Sequence, residues 1–193
     1  ADRDAVLKAA SRAGVNQILV PGISRHGWSR LWDLCTRTPG LYPAIGLHPV
    51  MLADHCAEDI EQLQQFLINH KPRAIGEIGL DYAVKGLDQQ AQLQLFESQL
   101  QIAQRHALPV VLHVRKAHDQ VLQCLKRYEL PGGFCHAFNG SLEQARRYIE
   151  QGFKLGFGGM LTYPRSNHLR ALAQQLPLHT LVLETDAPDM TGL

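Results

Sequence analysis

Short apolar runs alternate with amphipathic segments along the whole sequence, and this alternation constrains the fold more than any other feature. Strands that alternate with helices pair in parallel, because each helix returns the chain to the same end of the sheet. We therefore predict an α/β fold with a parallel sheet. The predicted strands are residues 17–20, 41–47, 73–81, 109–113, 132–136, 154–157 and 180–183.

A segment with apolar residues at helical spacing precedes each predicted strand. The longest spans residues 88–106, where Leu93, Phe96 and Leu100 lie on one face of a helix. Gly14 follows the first of these segments and is predicted to cap its carboxyl end. The predicted helices are residues 5–13, 27–37, 60–67, 88–106, 121–125, 142–149 and 169–176.

Four of the predicted strands end at or just before a side chain that can bind a metal, namely Glu77, His113, His136 and Asp186. A (β/α)₈ barrel builds its site from many strand ends, whereas a doubly wound sheet concentrates its ligand contacts near one switch point. Neither G-x-G-x-x-G nor G-x-x-x-x-G-K-[ST] follows a strand. We therefore predict a TIM (β/α)₈ barrel with seven of its eight strands. Residues 1–193 would form a single domain that lacks the first strand and the last helix.

Charge and cysteine content exclude few functions. The chain has 19 basic and 18 acidic residues, so its net charge of +1 neither supports nor excludes nucleic acid and gives no sign of a membrane partner. No apolar run approaches the roughly 18 residues that cross a bilayer, and no signal peptide is recognisable. The four cysteines contain no C-x-x-C pair, which predicts reduced thiols. We expect a cytoplasmic protein without an obligate protein partner.

The four strand-end residues would converge at the barrel mouth. Two imidazoles and two carboxylates suit Zn²⁺, Mn²⁺ or a related divalent ion. If Glu77 bridges two ions, they lie roughly 3.5 to 4 Å apart and activate a water for a displacement reaction. Asp186 is a candidate acceptor for the proton of that water. Glu184 and Thr185 would then orient the ligands.

Structural roles are alternatives for each of these residues. A histidine at a strand end is often held by a hydrogen bond and binds no metal. Glu77 and Asp81 are also candidates for helix caps or for ion pairs with Arg115, and Asp186 for a turn residue. His48 and Arg115 are equally compatible with substrate contacts and with ordinary loop positions. The remaining seven histidines, which include His55 and His118, are expected on the surface.

Six motifs resemble those of TatD-like metal-dependent hydrolases, in order and in spacing. They are GLHP (residues 46–49), GEIGLD (76–81), LHVR (112–115), CHAFNG (135–140), LGFGGMLTYP (155–164) and LETDAPDM (183–190). The resemblance implies a TIM barrel with two divalent ions (Zn, Mn or Mg) that acts as a deoxyribonuclease on DNA or on another phosphodiester. No membrane partner is implied.

The same resemblance assigns roles to individual residues. Glu77 would be the bridging ligand, and His113 and His136 would complete one ion site. Asp186 would bind the other ion and act as the catalytic base. The residues matching the substrate cleft are His48, Arg115, Asn139 and Tyr163.

Two features depart from the family pattern. TatD-like proteins have a D-x-H-x-H segment on their first strand, but no H-x-H occurs in this sequence, and Val114 replaces the usual Ser. We therefore expect one ion to be retained better than the other. The alternatives to the nuclease are a truncated, catalytically impaired barrel with one metal or none, and a hydrolase of another ester or of a cyclic amide.

Overall fold

Seven parallel strands form one sheet in the computed structural model, which describes residues 3–187 and Gly192. The strands are β1 (Ile18–Pro21), β2 (Leu41–Ile45), β3 (Ala74–Asp81), β4 (Val110–Arg115), β5 (Gly133–Cys135), β6 (Phe153–Phe157) and β7 (Leu181–Leu183). The helices are α1 (Arg3–Arg12), α2 (Arg25–Arg37), α3 (Glu58–Asn69), α4 (Gln89–Arg105), α5 (His118–Leu125), α6 (Leu142–Glu150) and α7 (Asn167–Gln175). Short 3₁₀ helices span Pro49–Asp54, Gly159–Thr162 and Leu178–Thr180.

The strands lie in the sheet in the order in which they occur in the chain. A doubly wound sheet would reverse that order at a switch point, whereas a barrel strand always pairs with the next one along the chain. The sheet is therefore a curled part of a barrel, as predicted from the sequence. Among the described residues, β1 pairs with β2 alone and β7 with β6 alone.

The element boundaries differ from the predicted ones by a few residues. α2 begins at Arg25 instead of residue 27, and α5 begins at His118 instead of residue 121. Residues 25–27 and 118–120 contain no apolar side chain, so the apolar spacing alone did not locate the start of either helix. Residues 188–190, the end of the LETDAPDM motif, lie outside the described part of the chain. No helix in residues 3–187 is long and apolar enough to span a bilayer.

The core lies between the sheet and its helices, with β3 at its centre. Every residue of β3 is buried, and Ile75, Ile78 and Leu80 pack in one cluster with Phe96 and Leu100 of α4. Burial of each such side chain contributes about 1.5 to 3 kcal/mol. The continuous apolar run that indicated a strand covered on both faces is thus confirmed.

Two predicted surface histidines are in fact buried. His118 packs between Phe138 and Tyr148, and the ring of His55 is almost wholly covered. The prediction was wrong because a histidine on a helix or loop gives no local signal of burial. Both nitrogens of His118 have hydrogen-bond partners, Tyr148 and Asn139. The Nε2 of His55 contacts the carbonyl of His48, whereas its buried Nδ1 has no hydrogen-bond partner among the described residues.

Gly79 allows β3 and β4 to approach each other closely. Its φ of +148° is a conformation that L side chains rarely adopt, and a Cβ there would lie 2.0 Å from the carbonyl oxygen of His113. Gly79 is also the register partner of His113. The position of that histidine therefore depends on the absence of a Cβ atom at Gly79.

We expect Gly79→Ala to lower the free energy of unfolding by about 3 kcal/mol or more, because both the backbone angle and the contact become unfavourable. The measurement is urea unfolding followed by circular dichroism. Gly27→Ala is the matched control, since a Cβ at this α2 position would meet no atom within 4 Å. It should stabilise the protein by about 0.5 to 1 kcal/mol. Equal effects of the two substitutions would contradict the close approach.

Candidate metal centre

The four residues predicted as ligands line one open cavity of about 800 Å³ at the carboxyl ends of the strands. Glu77 lies within β3, His113 within β4, and His136 follows β5 directly. Asp186 lies in the segment that leaves β7. Parallel strands bring their carboxyl ends to the same edge of the sheet, and this explains why positions so distant in the chain meet.

The cavity wall also contains His48, Arg115 and Asn139, three of the four residues matched to a substrate cleft. The fourth, Tyr163, flanks the 3₁₀ helix Gly159–Thr162 and is not among the lining residues in the described part of the chain. Its predicted substrate contact stays a prediction.

His113 lies between two carboxylates. Its Nε2 is 2.9 Å from Asp81 Oδ2, and its Nδ1 is 3.0 Å from Glu77 Oε1. Alternate residues of a strand share a face, so Glu77 and Asp81 flank Gly79, the register partner of His113. The ring therefore projects between the two acids.

Asp81 is fully buried and accepts several further hydrogen bonds. The backbone N–H groups of Ala83 and Val84 donate to its Oδ1, and Arg115 Nη1 lies 3.4 Å from its Oδ2. The predicted ion pair with Arg115 is therefore present. Asp81 was not predicted from the sequence as a partner of His113, although its spacing of four residues from Glu77 on one strand was an available signal.

His136 has the same arrangement on the other side of the cavity. Its Nδ1 contacts Glu184 Oε2, and its Nε2 lies 2.8 Å from Asp186 Oδ1. The backbone N–H of Ala137 donates to both oxygens of Glu184. In each arrangement, one anchored carboxylate contacts one ring nitrogen, and a more accessible carboxylate contacts the other.

His48 approaches the same centre from the loop after β2. Its Nδ1 accepts a hydrogen bond from the backbone N–H of Val50, and its Nε2 lies 3.5 Å from Glu77 Oε1. A neutral imidazole that accepts through Nδ1 has its proton on Nε2. With this hydrogen bond in place, His48 points an N–H donor at Glu77.

Distance alone also groups His48 with potential metal ligands. One donor atom each from His48, Glu77 and His113 lie within 4.8 Å of one another in the described chain. The hydrogen bond from Val50 favours a donor role for His48, whereas Glu77 and His113 have no such restriction. The structure thus places this residue closer to the predicted centre than its assignment to the substrate cleft implied.

The carboxylates determine the charge of the centre. Burial alone would lower the pKa of His136, but the hydrogen bond to Glu184 and the charge of Glu77 raise it to about 9. The pKa of His113 is also raised, again against the effect of burial and chiefly by Glu77. Burial would raise the pKa of Glu77, yet hydrogen bonds from His113 and His48 hold it well below its usual value. The same carboxylates that favour a cation therefore also favour proton binding at these two rings, so a proton and a metal ion compete for the ring nitrogens.

The donor set fits a divalent transition metal. Imidazole nitrogen and carboxylate oxygen together suit Zn²⁺ or Mn²⁺, whereas Ca²⁺ prefers oxygen ligands alone. Each histidine has one nitrogen facing a candidate ligand carboxylate and the other held by an anchored one, as is usual for metal-bound histidines. The residues that are present therefore match the metal requirement implied by the sequence motifs.

Comparisons with known proteins show the family of the chain. The family model described as TatD related DNase matches residues 1–192. The chain is 44% identical over 192 residues to an uncharacterised metal-dependent hydrolase, YjjV of Escherichia coli K12, a match that covers 98% of this chain and 74% of that protein. It is 34% identical over 191 residues to a 3'-5' ssDNA/RNA exonuclease, TatD of Erwinia billingiae, covering 97% and 73%.

The crystal structure of the Escherichia coli TatD homologue YjjV superposes on this chain with a TM-score of 0.94, covering 100% of this chain and 75% of that one. Sequence and fold thus agree along the whole matched length. The chain belongs to the TatD family of metal-dependent hydrolases.

Proposed function

We propose that this protein is a deoxyribonuclease that hydrolyses phosphodiester bonds with the help of a divalent metal ion. The observation that supports the proposal best is the pair of histidines, His113 and His136, each set between two carboxylates at one open cavity. The TatD relatives named as ssDNA/RNA exonucleases indicate the substrate class.

Glu77, His113 and His136 would hold one ion, and Glu77 with Asp186 would contribute to a second. A bound divalent ion acts as a Lewis acid on a phosphoryl oxygen and lowers the pKa of a coordinated water. The protein keeps its ligands oriented without the ion, because Asp81 and Glu184 each fix one nitrogen of a histidine ring.

Asp186 is the proposed proton acceptor for the attacking water. Its side chain is 30% exposed, whereas Glu77 is only 10% exposed, so Asp186 is the carboxylate that solvent reaches more easily. A general base must lie within hydrogen-bond distance of the proton that it removes. Its position on the cavity wall supports this role.

Arg115 and His48 would orient the phosphodiester. The Arg115 side chain is 55% exposed at the cavity rim while its guanidinium contacts Asp81, so it retains free donors for a phosphate. Lys116 adds a second positive charge to this rim. Local charge of this kind can recruit a phosphodiester although the whole chain has a net charge of only +1.

The ion content of the purified chain tests the metal site. We expect about one divalent ion per chain by elemental analysis after dialysis, since Glu77, His113 and His136 supply three ligands for one ion and only Glu77 and Asp186 remain for another. Glu77→Gln should reduce the content to less than half. The control Glu61→Gln changes an exposed carboxylate of α3 and should have no effect. Unchanged ion content in Glu77→Gln would remove this residue from the ligands.

Activity tests the proposed substrate class. Glu77→Ala and Asp186→Ala should each lower the cleavage rate of a single-stranded DNA oligonucleotide by at least about 100-fold with no loss of secondary structure, because they remove a ligand and the proton acceptor. Asp54→Asn, at an exposed position, is the matched control. A cyclic amide and a carboxylic ester belong in the same panel. Their hydrolysis, with DNA left intact, would favour the alternative hydrolase over the nuclease.

A further inference from the structure

Helix α4 contains two buried glutamines, Gln92 and Gln99, both with 0% exposure. Glutamine is mostly exposed in proteins, so burial of two amides on one helix requires specific partners. Their separation of seven positions corresponds to nearly two helical turns, and both side chains therefore lie on the face that packs against the sheet. Neither residue is among the predicted site residues, and neither lines the cavity.

Gln99 binds both backbone groups of Leu47. The N–H of Leu47 donates to Gln99 Oε1 at 2.8 Å, and Gln99 Nε2 donates to the carbonyl of Leu47 at 3.0 Å. Leu47 directly precedes His48, and it lies beyond the last register pair between β2 and β3, Ile45 with Ile75. The amide of Gln99 therefore makes the two hydrogen bonds with Leu47 that the backbone of a neighbouring strand would otherwise make.

Gln92 makes the same pair of bonds with Asp81. The N–H of Asp81 donates to Gln92 Oε1 at 2.8 Å, and Gln92 Nε2 donates to the carbonyl of Asp81 at 3.0 Å. The side chain of this aspartate contacts His113. Two amides on one rigid helix thus hold the backbone at two strand ends, and each of these ends leads to a different histidine of the centre.

We propose that Gln92 and Gln99 are positioning residues for the metal centre. Gln99 fixes the backbone of Leu47 and thereby directs His48, whereas Gln92 fixes Asp81 and thereby orients His113. The consequences for catalysis depend on the proposed function, but the positional coupling does not.

The coupling is specific to one histidine in each case, and this specificity provides the test. Gln92→Met and Gln99→Met remove the donor and the acceptor while they keep the side-chain length. Long-range ¹H–¹⁵N spectra of the imidazole rings in the purified full chain report which ring nitrogen is protonated. We expect Gln99→Met to shift the signals of His48 more than those of His113, and Gln92→Met to do the reverse, because the two rings also contact each other and share Glu77 Oε1.

Gln101→Met is the control, because Gln101 is an exposed residue of the same helix. It should leave both sets of ring signals unchanged. Equal shifts of the two histidines in each α4 variant, or shifts of neither histidine, would show that the glutamines merely stabilise the fold and would overturn the proposal. If a methionine variant does not fold, Gln92→Leu and Gln99→Leu remove the same donor and acceptor without adding a charge, and the same pattern is expected from them.

Kinetics then connect the coupling to function. With a DNA oligonucleotide as substrate, Gln99→Met should raise KM or lower kcat about 10- to 100-fold with an unchanged ion content, since small misplacements of an orienting group have effects of this size. Gln92→Met should weaken metal affinity about 10- to 100-fold. Specific ring shifts in a protein that does not cleave DNA would uphold the positional inference and refute the nuclease proposal. Normal kinetics and affinity in both variants would overturn the inference.

Discussion

The hydrogen bond between the buried carboxylate of Asp81 and His113 is the interaction on which the rest of the site depends. A carboxylate removed from water is tolerated only when its oxygens are satisfied, and Asp81 meets this condition with donors from the ring, from two loop N–H groups and from Arg115. Those donors come from different segments, so their arrangement is possible only in the folded barrel. The loop after β3, the strand β4 and the cavity rim are thereby held in one arrangement.

His136 has the same kind of arrangement, formed by different residues. Glu184 has the anchoring role opposite His136, and the backbone N–H of Ala137 holds it in place. Both histidines are therefore oriented before any ion binds, which reduces the cost of organising ligands at binding. The four carboxylates around the two rings also make the cavity attractive to a cation, which would compete with protons for the ring nitrogens.

Much of this architecture could be predicted from the sequence, since it depends on local patterns. The order of strands and helices follows from hydrophobic periodicity, and Glu77, His113 and His136 were recognisable as candidates because each follows a short apolar run within a predicted strand or directly after one. The buried glutamines of α4 were not recognisable. A glutamine in an amphipathic helix resembles a surface residue until its partner, a backbone segment up to 52 residues away, is known.

The sequence by itself determined the α/β class, the parallel order of the strands and the family, because these depend on periodicity and on short motifs. The tertiary structure alone decided which groups surround each imidazole. In the folded chain, Asp81 contacts His113, His48 contacts Glu77, and His118 is buried. All three features depend on contacts between residues that are distant in the chain. Tautomers, proton affinities and side-chain orientation depend on distances of a few ångströms, and only the packed chain sets those distances.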